Sequence, residues 1–167
     1  MKKTIFIISI LLTFTLSSQA QKIAYVHRDS VIKMMPEMKK AQQEINNFLQ
    51  QAQNEINQMQ NEYQKKVQDF NSAQDTLSDL IKQNKIEDIK NLEKRIQEFQ
   101  TNAQTEYINK QKELLIPIQK KFEDALEKVR KKGGYDVIIN IEPDIVLYVN
   151  DKYIITDEVI KELGIVQ

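Results

Sequence analysis

From Pro36 to Gly133 the chain contains no glycine between those two residues and only one further proline, Pro117. A stretch of nearly a hundred residues with so few breakers has to be mostly helical. Its apolar residues recur regularly. In the first half they run from Met38 through Ala41, Ile45, Phe48, Ala52, Ile56, Met59, Tyr63, Val67, Phe70 and Ala73 to Leu77, about 3.5 residues per step. In the second half they run from Ile89 through Leu92, Ile96, Phe99, Ala103, Tyr107, Gln111, Leu114, Ile118, Phe122 and Ala125 to Val129, about 3.6 per step. The stripe is narrow and the remaining faces are polar, so these helices pair along a seam and have no globular core to enter. Ile45, Phe48, Ile56, Met59, Phe70, Ile96 and Phe99 are the candidate seam residues.

The midpoint of the two prolines falls in Asp75-Thr76-Leu77-Ser78-Asp79, where Ser78 suits the N-cap of a second helix. The reading is an antiparallel hairpin over 36–117 with its tip near 75–79. Pro36 is placed at a helix start, where its missing N–H costs nothing, and Pro117 is expected to kink the second arm. One continuous helix is the rival, but it would leave the stripe without a partner along its whole length. Asn and Gln fill 24 of the 70 positions from Ala41 to Lys110. They read either as a solvated face or as a surface that makes many weak contacts with an unfolded chain.

The flanks of the hairpin read as strands. Lys22–Val26 alternates Ile23 and Tyr25 with Ala24 and Val26, and Gly133-Gly134 stops the long helix before Tyr135–Ile141. Ile145–Val149 is apolar throughout, as in a strand buried on both faces, and Asn150-Asp151 has the residue types of a hairpin loop into Lys152–Ile155. Thr156 is placed as the cap of a last helix, Asp157–Leu163. Segments 21–35 and 118–167 together form this β-rich body. It is too small to be securely stable alone, so oligomerisation is expected to complete its core. The candidate oligomerisation residues are Ile23, Tyr25, Val137, Ile139, Leu147 and Val149. The fold class is mainly α with a small β body: coiled-coil arms on a short-stranded hub.

The first twenty residues have a different logic. Met1-Lys2-Lys3 precedes an apolar run from Thr4 to Leu16, followed by Ser18 and Ala20 at small-residue positions. This pattern predicts a secretory signal peptide cut after Ala20. The run is shorter than the roughly 18 residues that a retained anchor needs. Cleavage would leave 22 basic against 24 acidic residues, which gives a nucleic-acid partner no basic surplus to hold phosphates. Cysteine is absent and His27 is the only histidine, so neither disulfides nor His/Cys metal sites are expected. Asp29 and Ser30 read as helix caps. His27-Arg28-Asp29 lacks the remainder of any catalytic loop, and no enzyme or cofactor is indicated. Lys128, Arg130, Lys131 and Lys132 complement the dipole at a helix end, the alternative being weak contact with anionic lipid head groups.

Ile23-Ala24-Tyr25-Val26, Val31-Ile32 and Pro36-Glu37-Met38-Lys39-Lys40-Ala41 resemble the amino-terminal signature of the Skp/OmpH periplasmic chaperones. So do Leu114 to Lys121, Gly134 to Ile138, Leu147-Tyr148 and Ile155 to Ile160. The resemblance implies a homotrimer with a barrel-like hub and three hairpin arms around a cavity. It implies that unfolded outer-membrane proteins are held in the periplasm without ATP, with Leu49 and Ile108 as candidate client contacts. Two departures stand out: the chain is near neutral where known members are basic, and Ile154 stands where an acidic residue is common. An envelope scaffold or adaptor coiled coil is the other class of reading, although only one strand precedes this hairpin.

Overall fold

The structure is a computed structural model and describes residues 21–165. The predicted signal segment and its cleavage site lie outside the described residues.

Strand β1 (Ile23–Val26) leads into a short helix α1 (Arg28–Met34), then the first arm α2 (Pro36–Ala73). The second arm α3 (Asp79–Gly133) returns to β2 (Val137–Asn140), and the described chain closes with α4 (Thr156–Glu162). The break between α1 and α2 is local chemistry. Proline disfavours the helical region for the residue before it, and Met35 is extended at ψ 130° while Pro36 opens α2. Asp29 and Ser30 are not caps but lie inside α1, where the Asp29 carboxylate meets the positive end of the helix dipole.

The hairpin forms as the breaker pattern requires. The arms have 38 and 55 residues, roughly 57 and 82 Å at 1.5 Å per residue. A single 3-10 turn, Gln74–Thr76, and the extended Leu77 reverse the chain. Ser78 takes the N-cap position of α3 but its side chain makes no cap hydrogen bond; its carbonyl accepts from Lys82 N at 2.9 Å. Pro117 lies within α3, which continues through it. At the other end Gly134 adopts φ +62° and closes the helix with its N–H directed at the Arg130 and Lys131 carbonyls. That left-handed conformation is the one a β-carbon disfavours. A β-carbon on Gly133 would run into the Tyr135 ring, which would have to move to admit it.

The whole hairpin serves as the crossover of a two-stranded parallel sheet. Ile23 pairs with Val137, Ala24 with Ile138, Tyr25 with Ile139 and Val26 with Asn140. The sheet is pinned at both ends, by Lys22 N donating to Asp136 Oδ2 at 2.8 Å and Arg28 N to Asn140 Oδ1 at 3.1 Å. Successive strand residues face opposite sides. Ala24 and Val26 are buried against Val31, Met35, Ala41, Ile118, Phe122, Ala125, Val129, Ile155, Val159 and Ile160, with Ile138 packed on the edge of this core. The four strand residues named for oligomerisation therefore lie on the other face, away from the chain's own core.

The last two expected strands do not form. Ile145–Val149 has no strand geometry, and Ile145, Leu147 and Tyr148 are 70, 90 and 85 % exposed. An apolar run signals a need for burial, and the described residues cover this one only in part, leaving Val146 and Val149 half-buried. In place of the Lys152–Ile155 strand there is a 3-10 turn, Asp151–Tyr153, with Asn150 Oδ1 accepting from Lys152 N. After it comes one bridge from Ile154 to Tyr25, beside a hydrogen bond from Ile155 N to Tyr25 O. Thr156 is the first residue of α4, not its cap, and its hydroxyl accepts from His27 N at 3.0 Å.

Candidate functional site

Two surfaces stand out, the length of the hairpin and the open face of the sheet. Along the hairpin, burial is confined to the seam. Ala41, Ile45 and Met59 on α2 and Leu92 on α3 are buried, while Phe48, Ile56, Phe70, Ile96 and Phe99 are half-buried. Two ion pairs cross between the arms near the body, Glu37 to Lys121 and Glu44 to Lys110, the latter at 3.7 Å. Farther out no ion pair crosses between the arms among the described residues, and apolar side chains join the helices, with Met59 and Leu92 buried and the others half-buried. A cleft of about 320 Å³ opens between Phe48 and Ala52 on one arm and Phe99 and Ala103 on the other. Leu49 and Ile108, off the seam, are 44 and 41 % exposed.

The second surface is the outer face of the sheet. Ile23 and Val137 are about two-fifths exposed, and Tyr25 and Ile139 are half-buried. Beside them a hollow of about 420 Å³ is lined by Ile23, Tyr25, Tyr148, Val149 and Tyr153. Leu147 stands almost wholly in solvent. Apolar residues this exposed and this close together mark a surface made for contact.

The basic run at the end of α3 is largely neutralised within the chain. Arg130 donates to Glu127 through Nε at 2.6 Å and Nη2 at 2.9 Å, and Lys131 lies 3.3 Å from the same carboxylate. Arg130's hydrogen bonds, with help from Lys131, hold the Glu127 carboxyl down at about 2. Lys132 and Lys128 reach Glu162 on α4 at 2.5 and 3.4 Å. The Lys132 hydrogen bond pulls the Glu162 pKa below the ordinary carboxylate value, against partial desolvation and with a smaller contribution from Lys128. This pair ties α4 to α3. A depressed carboxylate pKa contributes stability above its unfolded value and loses it as pH falls through the folded one. The melting temperature is therefore expected to drop as pH falls below the ordinary Glu value of 4.5. Glu162→Gln should melt lower than the parent at neutral pH and change less steeply with acid. Parallel slopes in pH-dependent thermal melts would show that the clamp does not hold α4.

Among the described residues no group of three or more His, Cys, Asp or Glu is placed to hold a metal. No described helix is long and apolar enough to cross a membrane.

Comparison with known proteins agrees with this architecture. The family model described as outer membrane protein (OmpH-like) matches residues 22–163. The chaperone protein Skp of Yersinia enterocolitica is 28% identical over 150 residues, covering 88% of each chain. A crystal structure of an OmpH-like outer membrane chaperone from Caulobacter crescentus superposes with a TM-score of 0.76, covering 88% of this chain and 86% of that one. At 12% identity that likeness speaks for the fold alone. With nearly all of its described length matched, from the β1 edge to the end of α4, the chain belongs to the Skp/OmpH-like family of outer membrane chaperones.

Proposed function

We propose that this protein is a periplasmic holding chaperone that binds unfolded outer-membrane proteins and keeps them from aggregating without ATP. The observation that carries the reading is the hairpin itself: two long helices joined by a narrow seam, with amides and isolated apolar side chains over the rest. Such a surface offers many individually weak contacts. Weak contacts sum to useful avidity when they surround one client, and each breaks easily on release. The skp-named relative supports the same reading.

The arms surround a client only if several chains share a hub. The open face carrying Ile23, Tyr25, Val137 and Ile139, with Leu147 and Val149 alongside, is the surface proposed to join three chains. Ile139→Asp is then expected to break the trimer while leaving the helices formed, because a carboxylate at a covered face has no partner. Ile138→Asp, on the side of the chain's own core, should instead unfold the body. Sedimentation and circular dichroism separate the two. An Ile139→Asp protein that sediments like the parent would remove this face from the assembly.

The function is tested by diluting a denatured outer-membrane barrel into nucleotide-free buffer with the intact protein and following light scattering. Suppression of scattering at near-stoichiometric protein is expected. No suppression would leave an envelope scaffold as the better account.

A further inference from the structure

The two arms carry the same short pattern. Residues Phe48 to Glu55 read Phe-Leu-Gln-Gln-Ala-Gln-Asn-Glu, and Phe99 to Glu106 read Phe-Gln-Thr-Asn-Ala-Gln-Thr-Glu. The shared elements are the phenylalanine, an amide three residues on, then Ala, Gln and a final Glu. The antiparallel hairpin lays these two octets side by side in opposite directions. Phe48, Gln51, Ala52 and Glu55 from one, with Phe99, Asn102, Ala103 and Glu106 from the other, line the 320 Å³ cleft. The cleft therefore has a local pseudo-two-fold symmetry. Its floor is two phenylalanines over two alanines, its walls carry two amides, and a carboxylate stands at each end. Seven residues of helix set the carboxylates about 10 Å apart along the arm.

Its surroundings are almost free of charge. Glu55 is the only charged residue from Ile45 to Asn61, and Glu106 the only one from Phe99 to Asn109. Among the described residues the ion pairs of the arms lie elsewhere, at Glu37–Lys121, Glu44–Lys110, Glu62–Lys66 and Lys94–Glu98, and in the Glu127 and Glu162 clusters at the end of α3. Neither cleft glutamate has an ion-pair partner among the described residues. The neighbouring side-chain hydrogen bonds join Gln53 to Asn57, Gln111 to Tyr107, and the Thr101 and Thr105 hydroxyls to the Gln97 and Thr101 carbonyls; none engages the amides of Gln51 and Asn102, which stay free among the described residues.

We propose that this cleft is a binding subsite for an extended segment of another polypeptide carrying an apolar side chain with a basic residue close by on either side. The apolar side chain enters between Phe48 and Phe99 over Ala52 and Ala103. The Gln51 and Asn102 amides, each both donor and acceptor, pair with peptide groups that an unfolded segment leaves unsatisfied. Extended chain advances about 3.3 Å per residue, so cations about three positions apart span from Glu55 to Glu106. The symmetry has a consequence for a binder of unfolded chains: the subsite presents the same groups to a segment running in either direction. This deepens the holding-chaperone reading and rests on it for its biological role.

The test uses the intact protein and three labelled peptides of equal length, with one central Phe flanked by Lys, Gln or Glu. The Lys-flanked peptide is expected to bind at least about five-fold more tightly than the Glu-flanked one at low salt, with the gap closing in high salt, as exposed pairs do. Glu55→Gln with Glu106→Gln, both on exposed helix surface, should bring the three affinities together while circular dichroism is unchanged. Ala103→Leu, which fills the cleft, should weaken all three. Equal affinities in the parent, or an unaltered Lys preference in the double variant, overturns the subsite. So does peptide binding that changes the number of chains per particle, since the cleft would then be covered by a second copy. A parent that binds the Lys-flanked peptide but fails to protect a denatured barrel overturns the holding function instead and leaves the subsite standing.

Discussion

Phe122→Ala is expected to lower the stability of the protein by about 3–5 kcal/mol, whereas Gln58→Ala should change it by less than about 0.5 kcal/mol. Phe122 lies on the inner face of α3 at 2 % exposure, in the one place where elements from every part of the chain meet. Ala24 and Val26 approach it from the sheet, Val31 from α1, Ala41 from the first arm, and Ile155, Val159 and Ile160 from the last turns of the chain. Removing the ring opens a cavity that strand, arm and closing helix would each have to move to fill. Gln58 is one exposed amide on the outer surface of α2, surrounded by others. Urea denaturation at fixed protein concentration measures both, the concentration being held because an oligomer's apparent stability depends on it. Equal midpoint shifts would mean that the seam of the arms, and not the body, is the cooperative core.

The contrast explains why the arms were the easier part to read. A helix announces itself locally, through absent breakers and a period near 3.6, and both the Pro36 start and the reversal before Asp79 lie where local chemistry puts them. The body depends on pairings across more than a hundred residues. The alternation in 23–26 gives two faces, but which of them meets the chain's own core is decided by α1, α3 and α4, and the answer is Ala24 and Val26. Ile145–Val149 goes further: its composition asks for burial, yet no strand among the described residues pairs with it, and its expected strand geometry does not appear. The mid-arm cleft was hidden for a different reason. Each octet is visible in the sequence, but among so many amides neither draws notice, and only the hairpin register brings Glu55 and Glu106 to the two ends of one apolar floor.

Shortening both arms by two heptads is expected to cost client affinity ten-fold or more while sparing the hub. Deleting 51–64 from α2 and 91–104 from α3 removes opposed segments of the hairpin and shortens it by about 21 Å at 1.5 Å per residue. A two-heptad step keeps the apolar stripe nearly in register, so the remaining helices can still pair. Of the buried residues only Met59 and Leu92 are lost, and neither belongs to the core of the body, which should stay folded and assembled. The deleted segments carry one side of the cleft, with Ala52 and Glu55, and most of the other, with Phe99, Asn102 and Ala103. They also carry a large part of the amide surface. A client held by many weak contacts loses affinity faster than in proportion to the contacts removed, because each lost contact lowers the effective concentration for those that remain. Sedimentation should give the parent's number of chains at a less extended shape. Aggregation of a denatured outer-membrane barrel should then be suppressed only at far higher concentrations of the shortened protein. Undiminished protection would place the client on the body, and the open face beside Tyr25 and Tyr148 would become the next surface to mutate.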